Sequence, residues 1–202
     1  MPRSDPRLIQ RLRLGSAVHP TCDHCEPWPD ALSQLHAPFE YGGALADAII
    51  RSKWQARFDL IDPLAGLFVP SLRPLLARID RVVPVPLHGT RLRQRGYNQA
   101  ALLAQAALCG CGVSRSRLRG LLVPDLLRRT RPDPPAKRAT VRERRARTQG
   151  AFAVAPAASL RGLRVLVVDD VVTTGATLVA CAQALQAAGA TSVIGLALAR
   201  VT

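Results

Sequence analysis

Over its first 38 residues the chain is rich in proline, polar and charged positions and has no sustained hydrophobic period, which reads as a tail or a vestigial module. Periodicity then sets in. After Gly42 and Gly43, apolar positions at Leu45, Ala48, Ile49 and Ala56 recur at near-helical spacing and predict a helix from Tyr41 to about Trp54. A second helical stretch is expected from about Leu60 to Ala77, broken or kinked by Pro70 and Pro74. Arg81 to Leu87 (RVVPVPL) is a short β-branched run whose prolines place it at a strand end entering a loop. Asn98 to about Leu108 predicts another helix, closed by Gly110 and Gly112. Residues 114–147 follow with a loop at Pro132, Pro134 and Pro135.

The C-terminal third has the clearest pattern. Arg164 to Asp169 is apolar on both faces, as in a central parallel strand covered on each side. Ala176 to Ala188 predicts a helix with Leu178, Ala182 and Leu185 on one stripe, ending at Gly189. Ser192 to Leu198 is the next strand. Strand, helix and strand make a βαβ unit, and ligands of such sheets bind beyond the carboxyl ends of the strands.

The chain has 202 residues, enough for one α/β domain with a small appendage, so we expect an appendage over 1–38 and the domain over 39–202. Its hydrophobic fraction of 48% excludes wholesale disorder. Charge changes the picture more. Of 28 Lys and Arg, 15 lie in residues 91–147 against only 3 acidic residues, whereas the flanking segments are nearly balanced. Such a block points to phosphate-bearing ligands, to nucleic acid, or to a solvated face. Composition supplies a plainer account, since 26 of those 28 residues are arginine. No apolar run suits a signal-peptide core or a membrane span, and membrane insertion is not expected. Five unevenly spaced cysteines do not form a secreted disulfide framework, so a reducing cytoplasm is the expected compartment.

The candidate chemistry sits after the Arg164 strand. Asp169 and Asp170 accept hydrogen bonds when ionised and suit sugar hydroxyls or a hydrated cation. Thr173, Thr174, Gly175, Ala176 and Thr177 wrap a hydroxyl-rich turn into a helix N-terminus, where unpaired N–H groups and the helix dipole favour an anion. Gly175 permits the close backbone approach of a phosphate cradle. Together these features describe a sugar-phosphate pocket, although each residue singly fits a helix cap or an exposed loop. A Walker loop is excluded because no G-x-x-x-x-G-K-[ST] occurs. A phospho-acceptor receiver is excluded because too little chain follows Asp170.

The run VLVVDDVVTTGATL, Val165 to Leu178, resembles the phosphoribosyl-pyrophosphate (PRPP) signature of type I phosphoribosyltransferases. VPVPLH (Val83 to His88) followed by RLRQRGYNQ (Arg91 to Gln99) resembles the competence protein F (ComF) branch of that superfamily. The resemblance implies an α/β fold of the type I phosphoribosyltransferase kind, a parallel sheet with flanking helices and a small hood. It implies Asp169 and Asp170 on the ribose hydroxyls, Thr173 to Thr177 on the 5′-phosphate, and Arg91 and Arg95 on the diphosphate. Lys53 matches a family lysine that could reach the same anion, or it is a solvated helix end. Magnesium would come mainly on the diphosphate and ribose oxygens.

The chain departs from the family in two places. The two-pair cysteine module is reduced to Cys22 and Cys25 with His19 and His24 nearby, and a closed zinc site normally joins two separated pairs, so zinc is not expected. Pro135 and Arg147 stand where the family tends to carry Gln and Asn. Two function classes follow. One is a transferase that displaces pyrophosphate from PRPP. The other is a nucleotide-sensing, DNA-binding accessory protein of competence and recombination with a helicase-like partner. For residues 115–147, weak DNA binding without sequence preference is expected, and little preference for single strands because aromatics are scarce there.

Overall fold

The computed structural model describes residues 31–132, 143, 146, 148–156 and 158–201. The principal sheet is wholly parallel. Its strands are β1 (Gln34–His36), β2 (Phe39–Glu40), β3 (Arg81–Pro84), β6 (Arg164–Val172) and β7 (Ser192–Arg200). The order is β1-β7-β6-β3, with β2 also pairing β7. A separate antiparallel pair joins β4 (Leu127–Arg129) to β5 (Phe152–Val154). The helices are α1 (Gly43–Trp54), α2 (Ile61–Leu72), α3 (Gly89–Arg95), α4 (Gln99–Gly110), α5 (Arg115–Leu121) and α6 (Ala176–Ala187).

The continuous apolar runs of β6 and β7 are explained by cover on both faces. Val165 and Val167 pack with Val193, Leu178, Cys181 and Leu185 on the α6 side. Leu166 and Val168 pack on the other side with Leu196, Leu198, Phe68, Leu72, Leu103 and Leu108, under α2 and α4. Gly195 in β7 lies so close to Leu35 that an added Cβ would sit 2.9 Å from its Cδ1. Phe58 to Ala77 is long and apolar enough, by length and composition, to cross a membrane. Its residues Leu64, Ala65, Phe68 and Leu72 instead fill the second core cluster, so it serves as a core helix.

Three expectations are corrected. The appendage does not extend to residue 38: Ala31 and Leu32 are buried, and Gln34–His36 pairs with Ile194–Leu196 of β7, so the α/β domain already includes residue 31. A three-residue strand containing Gln and His has no readable period of its own; pairing with β7 makes it a strand. Pro70 stays inside α2, and the chain tightens only at a 3₁₀ segment, Arg73–Ala77, which has Pro74 in its first turn. β6 runs past Asp169 to Val172, so both aspartates lie within the strand. Of the appendage, His19, Cys22, His24 and Cys25 lie outside the described residues, as do Pro135 and Arg147.

An ion pair ties the amino end of β6 to the turn before β3, with Arg164 Nη2 3.0 Å from Asp80 Oδ1. Asp80 also accepts from the Arg164 backbone N–H at 2.8 Å. These bonds hold the Asp80 carboxyl down to about 2, against an ordinary 3.8. A depressed carboxylate adds stability above its unfolded pKa and loses it as pH falls through the folded value. The thermal advantage of the wild type over Asp80→Asn is therefore expected at neutral pH and should vanish between pH 4 and pH 2. Because both side chains are partly exposed, that advantage should be small, about 1 kcal/mol or less. Melting curves across that range check it.

Candidate functional site

β3 and β6 are paired in parallel with Pro84 opposite Val168, and the Val85 N–H donates to the Val168 carbonyl at 2.8 Å. The carboxyl ends of the two strands are thus held side by side. The proline loop after β3 lies next to the acidic end of β6, which is where an open α/β sheet places its ligands.

Strand alternation sends the two consecutive carboxylates to opposite faces. Asp169 follows Val165 and Val167 toward α6, where its charge adds to the burial that pushes the Cys181 thiol up. One Asp169 oxygen accepts the Asp170 N–H at 2.9 Å. Burial pushes the Asp169 carboxyl well above the usual carboxylate range, the Asp170 charge adds to the rise, and Lys53 opposes it. Asp170, only 5% exposed, turns to the other face and meets Lys53 Nζ at 2.6 Å. Lys53 comes from the last turn of α1. Sequence reading offered this lysine to a bound anion or to solvent; the structure places it on Asp170.

The turn between β6 and α6 has a conformation that suits its residue types. Gly175 has φ 69° and ψ −2°, the left-handed region, and stands as N-cap of α6. Thr174 Oγ1 accepts the Ala176 N–H at 3.5 Å, and the Thr148 hydroxyl donates to the Ala176 carbonyl at 3.3 Å. Ala176 and Thr177 open α6, so its first-turn N–H groups face the same end as the acidic pair. Thr173 is exposed and Thr177 half-buried.

Arg91 and Arg95, from α3, and Lys53 are brought together in one cavity of about 200 Å³, lined also by Trp54, Gln94 and Tyr97. The Arg95 guanidinium lies over the Trp54 ring, 4.7 Å from its centre. The Tyr97 hydroxyl donates to the carbonyls of Ser52 and Lys53, fastening the end of α1 to the segment after α3. Beneath it, Gln99 bonds the buried Ser52 hydroxyl. His88 caps α3, accepting the Thr90 N–H, and Asn98 caps α4 while donating to the Val85 carbonyl at 3.0 Å. The asparagine thereby locks the proline loop to the helix behind it. Trp54 and Tyr97, which line this cavity, were not singled out from the sequence. The signal that could have found them is a lone exposed-type aromatic at each end of a basic segment, but the two segments are about forty residues apart.

Of the twelve basic residues in 115–147, Arg115, Arg117 and Arg119 lie on α5 and Arg128, Arg129 and Arg131 on or beside β4. The Arg129 guanidinium stacks on Phe152, 5.2 Å from its ring centre. Lys137, Arg138, Arg142, Arg144, Arg145 and Arg147 lie outside the described residues.

A family model described as a phosphoribosyl transferase domain matches residues 122–201, which span β4 through β7. The DNA utilization protein YhgH of Escherichia coli K12 is 31% identical over 199 residues, covering 95% of this chain and 83% of that protein. Competence protein F of Haemophilus influenzae is 30% identical over 166 residues, covering 78% and 68%. Among solved structures, a hypoxanthine phosphoribosyltransferase from Staphylococcus aureus is similar at 15% identity with a TM-score of 0.41, covering 69% of this chain and 62% of the enzyme.

Proposed function

The chain belongs to the competence protein F (ComF) family and has the type I phosphoribosyltransferase fold, and from that premise we propose that it binds PRPP or a related ribose phosphate at the carboxyl end of β6. The observation that carries the reading is the junction of β6 with α6. A left-handed Gly175 and three threonines lead from two strand-end carboxylates into a helix N-terminus. The 5′-phosphate would lie on the turn Thr173–Thr177, held by N–H groups and hydroxyls. Asp169 and Asp170 would accept the ribose hydroxyls. The diphosphate would extend toward Arg91 and Arg95, whose forked donors suit it.

Asp170 is already engaged by Lys53, so a hydroxyl arriving there shares or displaces that ammonium. A displaced Lys53 lies on the cavity lined by Arg91 and Arg95 and would add a third cation for the diphosphate. For Asp169, the raised pKa means that ionisation, and with it full acceptor strength, is gained as pH rises. Among the described residues no group of three His, Cys, Asp or Glu side chains is placed to hold a metal. A magnesium ion would therefore take most of its ligands from diphosphate and ribose oxygens, with at most one of the two carboxylates beside it, since Asp169 and Asp170 face opposite sides of the sheet. Magnesium would screen the diphosphate charge when bound. The chain's own part in a phosphoribosyl transfer is to orient the ribose and stabilise charge building on the leaving diphosphate.

The names of the relatives, a competence protein and DNA utilization proteins, support placing this ligand chemistry in the use of incoming DNA. The same pocket would serve a nucleotide-sensing accessory protein without turnover. Calorimetric titration with PRPP and ribose 5-phosphate, with and without magnesium, tests the site. We expect PRPP to bind more tightly with magnesium. Asp169→Asn together with Asp170→Asn should cost at least tenfold for both ligands, and Arg91→Ala or Arg95→Ala should cost more for PRPP than for ribose 5-phosphate. Wild-type affinities throughout would overturn the assignment. Equal losses for both ligands in the arginine variants would remove the diphosphate role. Release of pyrophosphate with an acceptor base would establish the transferase reading; PRPP binding without it favours the accessory one.

A further inference from the structure

Asp170 lies near the carboxyl end of β6 with its side chain 7% exposed, and Lys53 Nζ stands 2.6 Å from its Oδ2. The carboxylate read above as a ribose-hydroxyl acceptor is therefore occupied by a cation of the same chain. Lys53 also lines the cavity of Arg91 and Arg95, so its side chain borders both places. Its backbone is pinned. The Tyr97 hydroxyl donates to the Ser52 and Lys53 carbonyls, and Gln99 bonds the buried Ser52 hydroxyl. Any exchange between the two places is left to the flexible stem of Lys53 alone.

What the ammonium meets on each side differs. Toward the strand it finds a buried carboxylate. The cavity lining contains no acidic residue, and its other charged members are Arg91 and Arg95. While the cavity is without an anion it repels the ammonium, and Lys53 stays on Asp170. Arg95 Nε is buried without a hydrogen-bond partner among the described residues, a donor that an anion in the cavity would satisfy. Such an anion would also give Lys53 a second partner. A hydroxyl that displaced Lys53 with no anion present would leave Asp170 buried without its counter-charge, which is costly.

Residue choice points the same way. Of the chain's 28 basic residues only Lys53 and Lys137 are lysine. An arginine at position 53 would grip Asp170 with a rigid fork, whereas lysine makes a point contact that its stem can withdraw.

We propose that Lys53 is a latch on the ribose-hydroxyl site: it holds Asp170 until a diphosphate in the cavity of Arg91 and Arg95 draws it away, so the pocket selects ribose carrying a diphosphate over a bare ribose phosphate. The latch rests on the ribose-phosphate reading of the pocket and adds its regulation. Ribose 5-phosphate and pyrophosphate must each break the same ion pair, but together they break it once. Their binding is therefore positively coupled, although two neighbouring anions would otherwise repel.

Calorimetry on the full chain in magnesium buffer reads the coupling. Saturating pyrophosphate should tighten ribose 5-phosphate binding about tenfold in the wild type. Lys53→Met should tighten ribose 5-phosphate binding by the same factor unaided, abolish the coupling and weaken pyrophosphate binding. Lys53→Arg keeps the charge and should instead weaken ribose 5-phosphate severalfold; it carries the test if Lys53→Met fails to fold. Carbon-13 lysine labelling in a Lys137→Arg background leaves Lys53 as the one lysine signal, and Asp170→Asn and pyrophosphate should each shift it. Absent or negative coupling in the wild type, coupling that persists in Lys53→Met, or a lysine signal that pyrophosphate or Asp170→Asn leaves in place would overturn the latch. So would wild-type ribose 5-phosphate affinity in both lysine variants, with the pocket reading intact. If ribose 5-phosphate bound neither the wild type nor folded Lys53→Met, the pocket reading would fall and the latch with it.

Discussion

Gly175→Val is expected to reduce ribose 5-phosphate affinity at least a hundredfold and to lower the melting temperature by several degrees. Gly175 holds φ 69° at the junction of β6 and α6. A β-branched residue there clashes with its own backbone, at a cost of about 1–3 kcal/mol. The chain relieves that strain by turning the residue toward negative φ, which reorients the peptide N–H groups that follow it at the start of α6. The residue is also buried, so the added isopropyl group brings a packing cost besides the backbone strain. Gly175→Asn separates the two effects, because asparagine tolerates the left-handed region. It should keep most of the stability and more of the affinity than valine does. Calorimetry and thermal melts on both variants check this. Wild-type binding by the valine variant would show that the turn is not a phosphate cradle.

The largest loss of stability is expected from Phe68→Ala, about 3–5 kcal/mol, with a melting temperature lower by roughly 10 °C. Phe68 is fully buried on α2, in the cluster that α2 and α4 form over Leu166, Leu196 and Leu198 of the sheet. Deleting its ring leaves a hole in the core layer that α2 and α4 form over the sheet. Close packing between α2 and α4 prevents easy collapse: an added Cβ at Gly110 would already lie 3.0 Å from Val69. Below the transition, ligand affinity should be retained, because Phe68 lies in the core under α2 and α4 rather than among the strand-end residues. Chemical denaturation paired with calorimetry distinguishes this from a variant that damages the pocket itself.

Those two positions differ in how they could be found. Gly175 stands inside a contiguous run, between a strand whose apolar residues occupy both faces and a helix with a single stripe. Asp169, Asp170 and the threonine turn could therefore be located by reading along the chain. The helix ends at Trp54 and near Leu108 were legible for the same reason, as were the β6-α6-β7 unit and the role of the proline loop as a strand exit. Elsewhere the local signal was weak or misleading. Gln34–His36 has too few residues for a period and becomes a strand by pairing with β7. Pro70 is harmless in α2, although a proline in a helix interior normally costs about 3 kcal/mol. The β4–β5 pair unites segments more than twenty residues apart that show no alternation.

By itself, then, the amino-acid order determined what depends on neighbours within one turn or one strand: periodicity, the left-handed glycine, the acidic pair, and the excess of arginine in one segment. These are short-range properties, set by backbone sterics and by which face each residue must bury. Tertiary structure alone decided which distant side chains share a site. It placed Lys53 on Asp170 rather than in solvent, separated the two aspartates onto opposite faces of the sheet, and set Trp54 under Arg95. The physical reason is that α1 and α3 are independent helices in sequence. Their relative placement follows from packing over a common core and from the Tyr97 and Gln99 hydrogen bonds to the end of α1.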